Sequence, residues 1–114
     1  MTINELRQEM QSYWLSVDAE AKLTKDSTLA ITRLHDFYMR LDENDRQMAD
    51  EIISEWVLSE NSTVRFDALA LVDDFKIIKS LSYLRILSER LALSSKPEDI
   101  YELKKVKRII SNLE

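Results

Sequence analysis

Residues 62–75, with the sequence STVRFDALALVDDF, place apolar side chains at the spacing of one helix face. Val64, Ala68, Leu71 and Phe75 recur at intervals of four, three and four residues, and Val72 beside Leu71 widens the same stripe. Side chains at these intervals share one side of an α-helix, whereas a half-buried strand would alternate every second residue. The segment therefore predicts an amphipathic α-helix.

Five further segments show the same spacing, three before this one and two after it. Their apolar positions are, in chain order, Ile3, Leu6, Met10, Tyr13, Trp14 and Val17; Ala30, Leu34, Phe37, Tyr38 and Leu41; Met48, Ala49, Ile52, Ile53 and Trp56; Ile77, Leu81, Leu84, Leu87 and Leu91; and Ile100, Leu103, Val106, Ile110 and Leu113. No segment has the alternation of a strand. We predict an all-α fold of about six helices, stacked as antiparallel hairpins because the connections are short. It forms a single domain, with an N-terminal hairpin or cap over residues 1–41 and two hairpins over residues 42–114.

Polar residues, and not glycine, mark the predicted helix ends. Capping side chains are expected at Ser27, at Asp42 or Asn44, and at Ser62, and Asn61 is expected to end the third helix. Before the sixth helix, Ser95 and Glu98 have the spacing of a capping box, with Pro97 in the first turn.

The composition excludes most catalytic classes. The chain has no glycine, no cysteine and one histidine, His35, among 114 residues. Without glycine there is no phosphate-binding loop or dinucleotide fingerprint, and without cysteine there is no thiol nucleophile or Cys-type zinc site. A Glu-x-x-His di-iron motif is also absent. We therefore expect no enzyme, no cofactor and no metal site.

The first twenty residues contain no apolar core of a signal peptide, and the longest apolar run is only residues 68–72. We therefore expect a cytoplasmic protein with no membrane partner.

The net charge of −5 is unevenly distributed. Residues 1–41 have net charge −1, residues 42–74 have −8 and residues 75–114 have +4. A surface with this much negative charge attracts and selects a basic partner. The residues that we expect to bind a protein are Asp42, Glu43, Asp50, Glu51, Glu55, Glu60, Phe66, Asp67, Asp73 and Asp74. The alternative is that these charges only coat solvated helix faces.

Phe66 lies with Leu69 and Asp73 on the side of the fourth helix away from its apolar stripe. Two interpretations stay open. The ring packs against the N-terminal helices, or it is an exposed anchor with a charged rim, which is typical of a binding hot spot.

The segment STVRFDALAL over residues 62–71 resembles the second helix of a HEAT-type repeat, in which a Val-Arg pair is followed by a small residue and a leucine. Those places are taken here by Val64, Arg65, Ala68 and Leu71. Residues 80–87 resemble the first helix of a next repeat. Ser59 replaces the usual aspartate, the usual proline is missing, and the last hairpin has no Val-Arg pair. The resemblance, over residues 45–93, implies a right-handed α-solenoid fragment that binds macromolecules.

As a whole, the small, acidic, glycine-free helical chain is similar to bacterial immunity proteins, including those of contact-dependent growth inhibition systems. The similarity implies an immunity protein that binds a cognate toxin, often a nuclease, and covers its cationic active site.

Two other functions fit parts of the sequence. A self-associating scaffold or regulatory subunit would use exposed apolar residues. A nucleic-acid binder would use the basic face of the last helix, formed by Tyr101, Lys104, Lys105 and Arg108. We favour a solvated face there, because basic residues are expected near a helix C-terminus.

Overall fold

The computed structural model describes residues 1–114 and confirms the all-α fold. The six helices are α1 (Ile3–Thr24), α2 (Leu29–Arg40), α3 (Glu43–Trp56), α4 (Ser62–Phe75), α5 (Leu81–Ala92) and α6 (Pro97–Leu113), with one 3₁₀ turn at Ile78–Ser80 before α5. There is no strand. The chain divides within α3 into two compact units, residues 1–52 (unit 1) and residues 53–114 (unit 2).

In unit 1, α1 packs against α2. Their buried residues are Leu6, Met10, Trp14 and Val17 from α1 and Ala30 and Leu34 from α2, as the two stripes predict. The rings of Tyr13 and Phe37 add a tilted aromatic contact with centroids 5.2 Å apart. The buried part of α3 in this unit contains Ala49 and Ile52.

In unit 2, α6 packs against both α5 and α4. The buried apolar residues of this unit are Ile53, Val57, Ala68, Leu69, Leu71, Val72, Ile77, Leu84, Leu87, Leu91, Val106, Ile109 and Leu113. Three of them were not on the predicted stripes: Val57, Leu69 and Ile109. Ile100, which was on the sixth stripe, is exposed, so its predicted burial was wrong.

Several predicted caps were also wrong. Asn61 does not end α3 but begins α4, where its Oδ1 accepts from the backbone N–H of Thr63 at 2.9 Å and of Val64 at 3.3 Å. The short amide side chain reaches these two otherwise unpaired N–H groups, which explains why asparagine is a strong N-terminal cap. Ser62 is therefore the first helical residue.

The other two corrections concern α2 and α6. Asp26, and not Ser27, accepts from the backbone N–H of Thr28 at the start of α2. The Ser95–Glu98 box does not form. Instead, the Ser94 hydroxyl accepts from the Lys96 N–H and donates to Asp99 at 2.6 Å. Pro97 does stand in the first turn of α6.

Two helices end in a left-handed residue, which is usually glycine. Here Lys25 after α1 and Lys76 after α4 take that conformation, with φ of 57° and 53°. A chain without glycine must place residues with a Cβ atom at these positions, where that atom is crowded by the following carbonyl oxygen.

Candidate functional site

The ten residues predicted to bind a partner fall in both units. Unit 1 contains Asp42, Glu43, Asp50 and Glu51, and unit 2 contains Glu55, Glu60, Phe66, Asp67, Asp73 and Asp74.

Asp42 and Glu43 are exposed at the start of α3. The Oδ1 atom of Asp42 accepts from the backbone N–H of Asp45 at 2.8 Å, so Asp42 caps the helix as predicted. Glu43 is in the first turn, where a negative charge is favoured by the helix dipole. Both carboxylates therefore have a local structural role and also face water.

Asp50 links α3 to α2. It is half-buried and accepts a 2.7 Å hydrogen bond from the Tyr38 hydroxyl. Burial, together with this hydrogen bond and the negative charge of Asp50, raises the pKa of Tyr38 well above its ordinary value. Arg46 lies over the Tyr38 ring at 5.7 Å and donates from its Nη2 atom to the Met39 carbonyl at 2.7 Å, near the end of α2. Asp50 thus serves to hold unit 1 together.

Glu51 and Glu55 lie one turn apart on α3, and both are half-buried with interactions inside the protein. Glu60, in the connection before α4, is exposed.

Asp67 does not belong to a water-facing surface. Only 2% of the residue is exposed, so the expectation that this carboxylate faces water is wrong. Its position explains the burial: Asp67 follows Phe66 by about 100° around α4 and precedes Ala68, on the side of the helix that packs inward.

Phe66 is exposed over 49% of its surface, and its ring is covered by a cation from its own chain. The Lys105 Nζ atom of α6 lies 4.0 Å from the ring centroid. An ammonium over an aromatic face at this distance is attracted by the ring quadrupole. Burial beside Phe66 and the charge of Arg108 lower the pKa of Lys105, against the opposing effect of Glu102, Asp73 and Asp67.

Asp73 also meets cations from its own chain. Its carboxylate lies 3.5 Å from Arg108 of α6 and 3.5 Å from Lys76. Asp74, the next residue, is exposed and forms no ion pair. The acidic side of α4 is therefore partly neutralised by α6.

Arg65 of α4 and Glu102 of α6 form an ion pair that the sequence did not predict. Two parallel hydrogen bonds of 2.8 and 3.0 Å join the guanidinium of α4 to the carboxylate of α6, and both side chains are more than four-fifths buried. Arg65 also donates to the Ser59 carbonyl at 3.0 Å. Nothing in the sequence paired Arg65 with a glutamate 37 residues away.

Two contacts join α4 to α6 here: Phe66 with Lys105, and Asp73 with Arg108. We call these four residues, together with Tyr101 and Lys104 beside Lys105 on α6, the α4–α6 surface. Tyr101, Lys105 and Arg108 follow one another at four and three residues along α6, so their side chains share one side of the helix. Tyr101 is 76% exposed.

The helix dipole does not account for the cations of this surface. α6 ends at Leu113, and its last turn contains no basic residue. The dipole acts mainly within the last turn, so Lys104, Lys105 and Arg108 lie too far from the end to be explained in this way.

The charge of the protein resides in unit 1. Residues 1–52 contain eleven acidic and six basic side chains, whereas residues 53–114 contain ten of each. In unit 1, seven of the acidic residues are exposed against three of the basic ones. The negative surface is thus a property of unit 1 and not of the whole middle third of the chain.

No group of three or more His, Asp or Glu side chains is arranged to hold a metal ion, and none of the helices combines the length and apolar character needed to cross a membrane. His35 is half-buried with an interaction inside the protein. Comparison of the chain with protein-family models, curated proteins and solved structures found no match.

Proposed function

We propose that this protein is a non-enzymatic protein-binding module that recognises a basic protein through the exposed carboxylates of unit 1. One observation carries the proposal: unit 1 has a net charge of −5 and presents more than twice as many exposed acidic as basic residues. A negative field of this kind accelerates association with a cationic surface and disfavours acidic partners.

The more concrete form of the proposal is an immunity protein. In this form the acidic surface covers the cationic active site of a cognate toxin, such as a nuclease, and inhibits it by occlusion. The support is the combination of a small all-helical fold, an acidic surface and a HEAT-like pattern in residues 45–93 that is typical of macromolecule-binding solenoids.

Affinity capture with the full-length protein tests the proposal, with two matched charge reversals. Glu43→Lys reverses an exposed carboxylate of unit 1, and Glu89→Lys reverses an exposed carboxylate on α5 of unit 2. We expect a basic protein to be retained at low salt, with less retained by the Glu43 variant and an unchanged amount by the Glu89 variant. Circular dichroism melting confirms that both variants fold.

Two results would contradict the proposal: equal capture by the two variants, or retention of an acidic protein only. The immunity form requires in addition that an equimolar amount of the chain suppresses the activity of the captured protein. The product of the neighbouring reading frame is the first candidate to assay.

A self-associating scaffold is the second candidate function, and one observation favours it. Leu15 and Leu23 of α1 are 60% and 86% exposed, and they lie two turns apart with Ala19 between them. An apolar stripe of this kind is a possible contact between copies. Light scattering separates the candidates, because a scaffold requires a stable oligomer whose mass falls to that of a monomer in a Leu15→Glu variant.

A further inference from the structure

We infer that the α4–α6 surface binds single-stranded nucleic acid, with the Phe66 and Tyr101 rings stacking on bases and Lys104, Lys105 and Arg108 contacting phosphates. This activity goes beyond the proposed function. It uses unit 2, whereas the proposed protein contact uses the carboxylates of unit 1, so the two can fail separately.

Aromatic and cationic side chains lie together on the α4–α6 surface. Phe66 and Tyr101 are exposed rings on neighbouring helices, and Lys105 lies next to both: 4.0 Å from the Phe66 ring and one turn along α6 from Tyr101. Proteins that bind single strands without sequence preference combine such rings with basic side chains, because every base has a face that stacks.

The local charge also supports nucleic-acid binding. Residues 103–113, the C-terminal part of α6, contain no acidic residue, and three of their four basic residues, Lys104, Lys105 and Arg108, belong to the α4–α6 surface. Of the carboxylates near these cations, Asp67 is buried and Glu102 is paired with Arg65, so Asp73, 3.5 Å from Arg108, is the one that competes with a phosphate. The protein has a net charge of −5, so its composition gives no reason to expect a patch of positive charge. The helix dipole does not explain the patch either.

Binding must change one contact within the surface. Lys105 covers one face of the Phe66 ring, so a base that stacks on that face displaces the ammonium. The displaced ammonium is then one turn from Tyr101 and beside Arg108, where the phosphates of a strand stacked on both rings would pass. Burial already removes part of the water around the Lys105 ammonium. A phosphate that contacts the ammonium then supplies a charged hydrogen-bond acceptor in place of the lost water.

Fluorescence anisotropy with a labelled oligothymidylate of about 15 nucleotides tests the inference, since a single-strand-binding OB fold covers about 4–16 nucleotides and this length leaves room for both rings. We expect saturable binding of the full-length protein, with a dissociation constant of about 10⁻⁶–10⁻⁴ M at physiological salt. Three phosphate contacts give a slope of about −2 for the logarithm of affinity against that of salt concentration.

Four variants locate the site. Phe66→Leu and Tyr101→Leu keep the apolar volume but lose the ring, and each should weaken binding at least about fivefold. Lys104→Gln should weaken binding and reduce the salt slope by about 0.7. Asp73→Asn should strengthen binding, because it removes the carboxylate that competes with phosphate for Arg108. Tyr101 is the most exposed of these residues, so its variant remains informative even if the Phe66 variant does not fold.

Lys107→Gln is the matched control, because Lys107 is exposed on α6 about 200° around the helix from Lys105. We expect its affinity to equal that of the wild type. Any of three results overturns the inference: no binding of the oligonucleotide by the wild-type protein, unchanged affinity in both ring variants, or an equal loss in the Lys107 variant. Poly-glutamate that competes as strongly as the oligonucleotide also overturns it, in favour of an acidic protein partner.

Discussion

The Arg65–Glu102 pair is the clearest single interaction between α4 and α6. Its two parallel hydrogen bonds join residues from helices that are separated by α5 in the chain, and both side chains are largely shielded from water. A charge left without its partner in such a place is costly, whereas replacing both partners by apolar residues is often tolerated.

We therefore expect Glu102→Leu to lower the free energy of unfolding by about 2 kcal/mol, and Arg65→Met to have a similar effect. The double variant Arg65→Met/Glu102→Leu should lose less than the sum of the two single changes. Urea denaturation of the four proteins measures the difference as a double-mutant cycle. Additive losses would show that the pair makes no coupled contribution.

Tyr38 gives unit 1 a dependence on pH. Its pKa is raised in the folded protein by burial and by the hydrogen bond to Asp50, so folding favours the protonated hydroxyl. The stability from this hydroxyl is complete below the unfolded pKa of about 10 and decreases as the pH rises above it towards the higher folded pKa.

We expect the stability advantage of the wild type over Tyr38→Phe to be constant from about pH 7 to 9 and to decline above about pH 10. Chemical denaturation of both proteins at each pH measures this advantage. An advantage that grew above pH 10 would contradict the assignment. Comparison with the phenylalanine variant removes the contribution of lysines that titrate in the same range.

Among the helices, the absence of glycine lowers the stability of two C-terminal ends. Lys25 and Lys76 end α1 and α4 in the left-handed conformation, which costs about 1–2 kcal/mol for a residue with a Cβ atom. Glycine at these positions relieves the crowding, although it also increases the entropy of the unfolded chain.

We expect Lys76→Gly to raise the free energy of unfolding by about 0.5–1 kcal/mol, even though it removes the exposed ion pair with Asp73. Lys79→Gly, in the 3₁₀ turn where φ is not positive, is the control and should be neutral or destabilising. Thermal melting measures both variants, and a destabilised Lys76 variant would show that the backbone at this position is not crowded.

The sequence predicted the helices well because each has enough apolar residues at a regular spacing. It predicted less well which helices pack against one another. Leu69 was placed on an outer side of α4, but it lies between Arg65 and Asp73 along the helix, both of which contact α6, so that side is covered. Spacing along one helix gives the direction of a side chain and does not tell which other helix covers it.

In the candidate site, too, local interactions could be predicted from the sequence and contacts between distant residues could not. Asp42 was correctly predicted as a cap because that interaction is local. The contact of Lys105 with Phe66 joins residues 39 positions apart, and no short pattern signals it. A block of like charges along the chain is therefore a weak guide to a surface, since basic residues from a distant helix can lie beside it.

For the molecule as a whole, the division of charge between the two units has a measurable effect. Unit 1 repels itself, with a net charge of −5, whereas unit 2 is neutral and contains ion pairs that join α4, α5 and α6. Salt screens both kinds of interaction, so it should act on the two units in opposite directions.

We expect sodium chloride, raised from about 20 to about 300 mM, to increase the protection of backbone amides in residues 1–52 from hydrogen exchange. Protection in residues 53–114 should stay the same or decrease. Mass spectrometry of peptides from each unit makes the comparison within one sample. Equal gains in both units would indicate a general effect of salt and not the relief of repulsion.

The order of the helices in the chain has a consequence for synthesis. The side chains of α6 supply the partners of Arg65, Phe66 and Asp73, which are translated 35 to 39 residues earlier. A nascent chain that has not yet produced α6 therefore holds α4 without its ion pair to Glu102 and with the side that α6 covers open to water. Unit 2 acquires its native packing only after α6 has left the ribosome.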